Sequence, residues 1–86
     1  MTSYYEYDLD GEHYIKDLSG KPFYEAITIV AIEITMSDCT DVDVTKIVID
    51  GKEYRYVGWQ PNMLREFYNA ADPEDRVQIF LPQYDH

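Results

Sequence analysis

Three carboxylates near the start of the chain occupy every second position, and their spacing suggests a chemical role. Glu6, Asp8 and Asp10 alternate with Tyr5 and Tyr7, and a period of two is typical of a strand with one polar face. On such a strand the acids lie about 6.6 Å apart, comparable to the phosphate spacing along one nucleic-acid strand. Ordered carboxylates can therefore engage Lys and Arg side chains that otherwise bind phosphates. The candidate partner-binding residues are Tyr5, Glu6, Tyr7, Asp8, Asp10, Glu12, Asp17, Asp38, Asp41 and Asp43.

The other residues with chemical potential match no catalytic or metal-binding pattern. Cys39 has acidic neighbours, which disfavour a reactive thiolate. His13 is expected to face Asp8 across a two-residue hairpin, where the carboxylate would favour its protonated form, but no spacing rule makes this a metal site. The Asp-rich stretches lack the ligand spacing of an EF-hand loop. We therefore expect no cofactor, no bound metal and no enzymatic activity.

The charge of the chain is large and unevenly distributed. Its 86 residues contain 17 Asp and Glu against 7 Lys and Arg, for a net charge of -10. Residues 1–45 carry a net -8 and residues 46–86 a net -2. Such a charge disfavours direct binding to nucleic acid or to an anionic membrane. It favours a basic protein partner, although an acidic surface can also serve solubility alone.

The cellular context follows from what the chain lacks. A single cysteine excludes an internal disulfide and fits a reducing compartment. The first residues have neither the basic nor the apolar region of a signal peptide. The longest apolar stretch, 26–36, is too short and too polar to span a bilayer. We expect a cytoplasmic protein.

Residues 1–59 predict two hairpins and one ambiguous segment. Strands are expected over 4–9 and 12–18, and over 45–50 and 53–59, with turns at Asp10-Gly11 and Asp50-Gly51. In the second hairpin, the apolar face of Ile47, Ile49, Tyr54 and Tyr56 is the expected core. Segment 26–36 is rich in β-branched residues, which favours a central strand. A helix remains the alternative there, because Phe23, Ile27, Val30 and Ile34 follow Pro22 at helical spacing.

The second half predicts the helix of the fold. Over 61–71 the residues Met63, Leu64, Phe67, Tyr68 and Ala71 form one apolar stripe, which we expect to pack on the hairpin before it. Arg65, Glu66 and Asn69 would then face solvent. A last strand is expected over 76–81. The fold class is therefore a single α+β domain over 1–86, with a mostly antiparallel sheet of five or six short strands and one helix on one face.

In size and charge the chain resembles the small acidic proteins with which phages block host defence nucleases, including DNA mimics and anti-CRISPR proteins. This resemblance implies an inhibitor that occupies the nucleic-acid-binding surface of a basic protein or nuclease complex. Toxin-neutralising immunity proteins have the same size and charge and are one alternative. The other is a structural or accessory subunit, with a homodimer formed through edge strands and with the 26–36 strand as its candidate joint.

Overall fold

The computed structural model describes residues 2–37, 42–60 and 64–81. It contains one six-stranded antiparallel sheet and one helix, so the predicted α+β class is confirmed. The strands lie in the order β2-β1-β3-β4-β5-β6, which leaves β2 and β6 as the two edges. The elements in chain order are β1 (Tyr4–Leu9), β2 (Glu12–Asp17), α1 (Phe23–Ser37), β3 (Asp43–Ile49), β4 (Lys52–Gln60), β5 (Leu64–Asn69) and β6 (Asp72–Phe80).

Two tight turns close the hairpins that the sequence predicted. The β1–β2 ladder ends at the Leu9–Glu12 pair and the β3–β4 ladder at the Ile49–Lys52 pair, so each turn has two residues. Both residues of each turn, Asp10-Gly11 and Asp50-Gly51, have positive φ angles between 53° and 82°. Positive φ at both positions matches the right-handed twist of the flanking strands. These turns determine which residues face each other across the strands.

Segment 26–36, for which a strand was favoured, belongs to helix α1, so the strand prediction was wrong and its alternative was right. The backbone N–H of Ala26 donates to the carbonyl of Pro22 at 2.9 Å, where the helix begins. Ala26, Ile27, Val30 and Ala31 are buried at helical spacing. Strand and helix propensities differ by only tenths of a kcal/mol per residue, whereas burying one Ile or Val side chain contributes about 1.5–3 kcal/mol. Tertiary burial therefore outweighs the β-branched composition.

The predicted helix over 61–71 was also wrong, because the described part of that segment forms strand β5 and the turn to β6. Buried and less buried residues alternate along β5, with Arg65, Phe67 and Asn69 on the buried side. The Asn69 side-chain oxygen accepts the N–H of Ala71 at 2.9 Å, which stabilises the turn. Arg65 and Asn69, expected in solvent, are 5% and 8% exposed. Residues 61–63, including Met63, lie outside the described residues.

Helix α1 covers one face of the sheet, and the core lies between them. The helix packs against β3 and β6. As predicted, the second hairpin supplies Ile47, Ile49 and Tyr54 to the core, with Tyr56 packed against it. Over the described residues, no helix has both the length and the apolar character needed to cross a bilayer. The buried residues of the core cluster are Tyr5, Leu18, Ala26, Ile27, Val30, Ala31, Ile47, Ile49, Tyr54, Phe67, Val77, Ile79 and Leu81.

A buried arginine links the sheet to the end of the helix. The Nε of Arg65 donates to the Thr35 hydroxyl at 3.1 Å, and that hydroxyl donates to the carbonyl of Ala31 at 2.9 Å. Thr35 lies in the last turn of α1, which has no basic residue of its own. A cation near a helix C-terminus interacts favourably with the helix dipole. The bond to Thr35 and this position near the helix end offset part of the cost of burying Arg65.

Candidate acidic interface

The sheet face opposite α1, here called the open face, carries Glu6 and Asp8 of β1. Tyr5 and Tyr7 point the other way, toward the helix, because successive side chains of a strand alternate. The register places Asp8 opposite His13 of β2 and opposite Asp43 of β3. Directly paired residues share a face, so Asp8, Asp43 and His13 meet there. By the same rule Asp17 joins the open face opposite Tyr4.

His13 bridges the two carboxylates of β1. Its Nδ1 lies 2.6 Å from Asp8 Oδ1, and its Nε2 lies 2.7 Å from Glu6 Oε1. Both hydrogen bonds raise the pKa of His13 above its ordinary value of 6.5, and the bond to Asp8 has the larger effect. The sequence predicted the pairing with Asp8 but missed Glu6. The contact with Glu6 could have been predicted from the two-residue turn. That turn places position 8 opposite position 13, and position 6 is then the diagonal neighbour of position 13.

Three other predicted acids of the hairpin have different roles or positions. Asp10 lies in the turn, with a φ of 54°. Glu12 is on the helix side of the sheet, opposite Leu9, and accepts the Tyr14 hydroxyl at 2.7 Å. The Asp17 carboxylate accepts the N–H of Ser19 at 2.9 Å, and this bond lowers the pKa of Asp17.

The two predicted tyrosines lie on the helix side of β1. Tyr5 is 5% exposed and belongs to the core, and its burial raises its pKa to about 12, with Glu33 adding to the effect. Tyr7 is partly buried and stacks on Tyr14 with 5.4 Å between ring centroids. Tyr5 therefore packs in the core on the helix side of β1 and is not accessible to a partner. Asp38 and Asp41, with Cys39, lie outside the described residues.

The two halves of the open face differ in how their acids are balanced. On the β4-β5-β6 half, Glu53 pairs with Arg55 at 3.6 Å and Glu66 with Arg76 at 2.9 Å. Gln78 donates a further hydrogen bond to Glu66 at 3.1 Å. On the β2-β1-β3 half, the four acids Glu6, Asp8, Asp17 and Asp43 share the face with His13 and Lys46. Charge is therefore distributed unevenly across one face of the sheet, as it is along the sequence.

A groove opens next to this acidic half, where β3 and β4 separate. Their ladder covers only Ile47–Tyr54 to Ile49–Lys52. The earlier residues of β3 pair with β1, and the later residues of β4 pair with β5. The resulting groove has a volume of about 470 Å³, and its walls include Asp43, Lys46 and Arg55. Both signs of charge are present in its lining.

The geometry of the described residues is the basis for a functional argument, because no protein-family model, curated protein or solved structure matches the chain. Within the ranges that the structure describes, no group of three or more His, Cys, Asp or Glu side chains is arranged to hold a metal ion.

Proposed function

We propose that this protein is a non-enzymatic binding protein whose acidic half, the β2-β1-β3 part of the open face, docks on a basic protein surface that binds nucleic acid. The observation that carries the proposal is the contrast between the two halves of one sheet. Glu6, Asp8, Asp17 and Asp43 share a surface with two candidate cations, whereas on the other half Glu53 and Glu66 are each paired with an arginine.

The partner class follows from the spacing of these acids. Glu6 and Asp8 project from one strand, about 6.6 Å apart along it, on the face of the sheet that α1 leaves uncovered. Ordered carboxylates at that spacing can replace phosphates in front of Lys and Arg side chains. Complementary charge speeds association and makes it sensitive to salt. A nuclease or another nucleic-acid-binding protein in the cytoplasm is the partner we propose.

Charge reversal on the two halves tests this proposal. Asp8→Lys with Asp43→Lys should abolish capture of the partner from the native cell. Glu53→Lys with Glu74→Lys, on β4 and β6, makes the same change in net charge and should leave capture intact. The captured protein should bind nucleic acid, and an added oligonucleotide should compete with the wild-type chain. Equal losses from both double variants, or capture that nucleic acid does not displace, would refute the proposal.

A second candidate function, a homodimeric accessory subunit, is favoured by the β6 edge. The joint suggested by the sequence, 26–36, is helical and is excluded. Sheet edges are usually protected by charged side chains. The first four residues of β6 include three acids, but residues 76–80 carry only Arg76, which pairs with Glu66. Phe80 is 59% exposed there. Light scattering should then give twice the chain mass, and Phe80→Lys but not Tyr24→Lys should restore the monomer. A wild-type monomer at high concentration would rule this function out.

A further inference from the structure

We propose that protonation of His13 regulates the acidic half of the open face, so that a basic partner binds more tightly as the pH rises. This inference rests on the proposed function, because it concerns the same surface. It starts from the position of one imidazole ring between two carboxylates, each within 2.7 Å of a ring nitrogen.

The geometry requires the protonated ring. A neutral imidazole has one N–H donor and one lone pair, whereas an imidazolium donates from both nitrogens. With Nδ1 facing Asp8 and Nε2 facing Glu6, both contacts are attractive only in the imidazolium. Loss of the proton turns one nitrogen lone pair toward a carboxylate oxygen, which breaks that contact. The charge of the three side chains then changes from -1 to -2, and one carboxylate becomes free for another cation.

The charged groups around His13 affect the pH at which its ring loses the proton. From β1, Glu6 and Asp8 face His13 directly; from the next strand, β3, Asp43 stands opposite Asp8 and Lys46 opposite Glu6. On β2 itself, Glu12 and Lys16 point to the other side of the sheet. The bonds to Asp8 and Glu6 raise the pKa of His13 above 6.5, so the ring keeps its proton to a higher pH than a free imidazole does. Half of its side chain is exposed, which leaves the proton accessible to solvent.

A partner cation and the His13 proton therefore compete for the same oxygens. Linkage makes such competition reciprocal, since binding that favours the deprotonated ring must release the proton. At most one proton leaves per complex. The association constant then rises by up to about tenfold per pH unit while His13 is protonated and becomes constant above its pKa.

The free protein provides the first measurement. An NMR titration of the His13 ring should give a midpoint above 6.5, and Glu6→Gln with Asp8→Asn should lower it toward that value. His13→Gln identifies the resonance by removing it and leaves that of His86, the other histidine. A wild-type midpoint at or below 6.5 would overturn the bridging geometry, whatever the protein binds.

The second measurement couples the ring to binding. The probe is an octa-arginine peptide with a blocked N-terminus and a fluorophore that does not titrate in this range, so that its guanidinium charges stay constant. It is titrated at constant ionic strength from about pH 6 to about pH 9, across the range where His13 changes charge. Wild-type affinity should rise with pH. His13→Lys should bind weakly and His13→Gln tightly, both without that rise, and the control Glu74→Gln should behave as wild type. A rise that persists in both His13 variants would overturn the regulation while leaving the docking surface in place. An absence of peptide binding by wild type at every pH and low salt would instead refute the proposed function.

Discussion

Truncating Phe67 tests the packing of β5 into the core most directly, because its side chain is completely buried. Phe67 is 0% exposed, and its ring lies 5.2 Å from that of Tyr56 within the core. Phe67→Ala removes a buried ring and leaves a cavity, which costs about 3–5 kcal/mol. Domains of this size have about 5–10 kcal/mol of stability in total. The variant should therefore be close to unfolding at room temperature.

A urea titration measures this loss, with Phe80→Ala as the matched control. Phe80 lies on the neighbouring strand of the same ladder but is 59% exposed, so its truncation should cost less than about 1 kcal/mol. With a urea dependence of about 1–2 kcal/mol per molar, Phe67→Ala should lower the unfolding midpoint by about 1.5–5 M. Both variants are measured at a concentration where light scattering gives the monomer mass. Equal, small shifts would show that the β5 ring does not face the core and would refute the burial argument.

Three further predictions concern the hairpins and their ionisable groups. Asp17→Asn should lower stability at neutral pH, because the hydrogen bond from Ser19 favours the charged carboxylate and lowers its pKa. The difference in stability between the variant and wild type should shrink as the pH falls through the lowered pKa of Asp17, and acid unfolding of both proteins measures it. Burial raises the pKa of Tyr5 to about 12, so Tyr5→Phe should remove absorbance change only from the late part of an alkaline titration. Above pH 10, where the side chain of Tyr5 loses its proton in the unfolded chain, wild type should lose stability. Gly51→Ala should cost about 1–2 kcal/mol, because φ is +77° while no atom lies within 4 Å of the added methyl group; a loss below a few tenths in thermal unfolding would contradict the turn geometry.

The predictable parts of the fold are those specified by neighbouring residues. Asp10-Gly11 and Asp50-Gly51 favour positive φ and define two-residue turns, so the register of both hairpins follows from the sequence. That register brings His13 opposite Asp8, as the sequence predicted. The same register separates Glu12 from the acids of β1, a consequence that counting acids along the chain does not reveal.

The unpredictable parts depend on contacts between residues far apart in sequence. In β5 the buried side includes Arg65 and Asn69, so polarity alone does not alternate along the strand. Arg65 is accommodated by Thr35, thirty positions away. A local pattern contains no sign of that hydrogen bond, and the apolar residues that remain match a helical stripe. In α1, residues that favour strands form a helix instead. They do so because the sheet buries Ile27 and Val30.

Strand β1 separates the requirements of stability from those of binding. Tyr5 faces the core and Tyr7 packs against it, while Glu6 and Asp8 face solvent on the other side of the same six residues. Like charges directly opposite each other destabilise a sheet, and Asp8 stands opposite Asp43. Because this pair is at the surface, water and salt screen its repulsion, and protonated His13 compensates for part of it. Reversing the charge of Asp8 and Asp43 should therefore change binding without removing any core contact, so a loss of capture in that variant reports on the surface and not on unfolding.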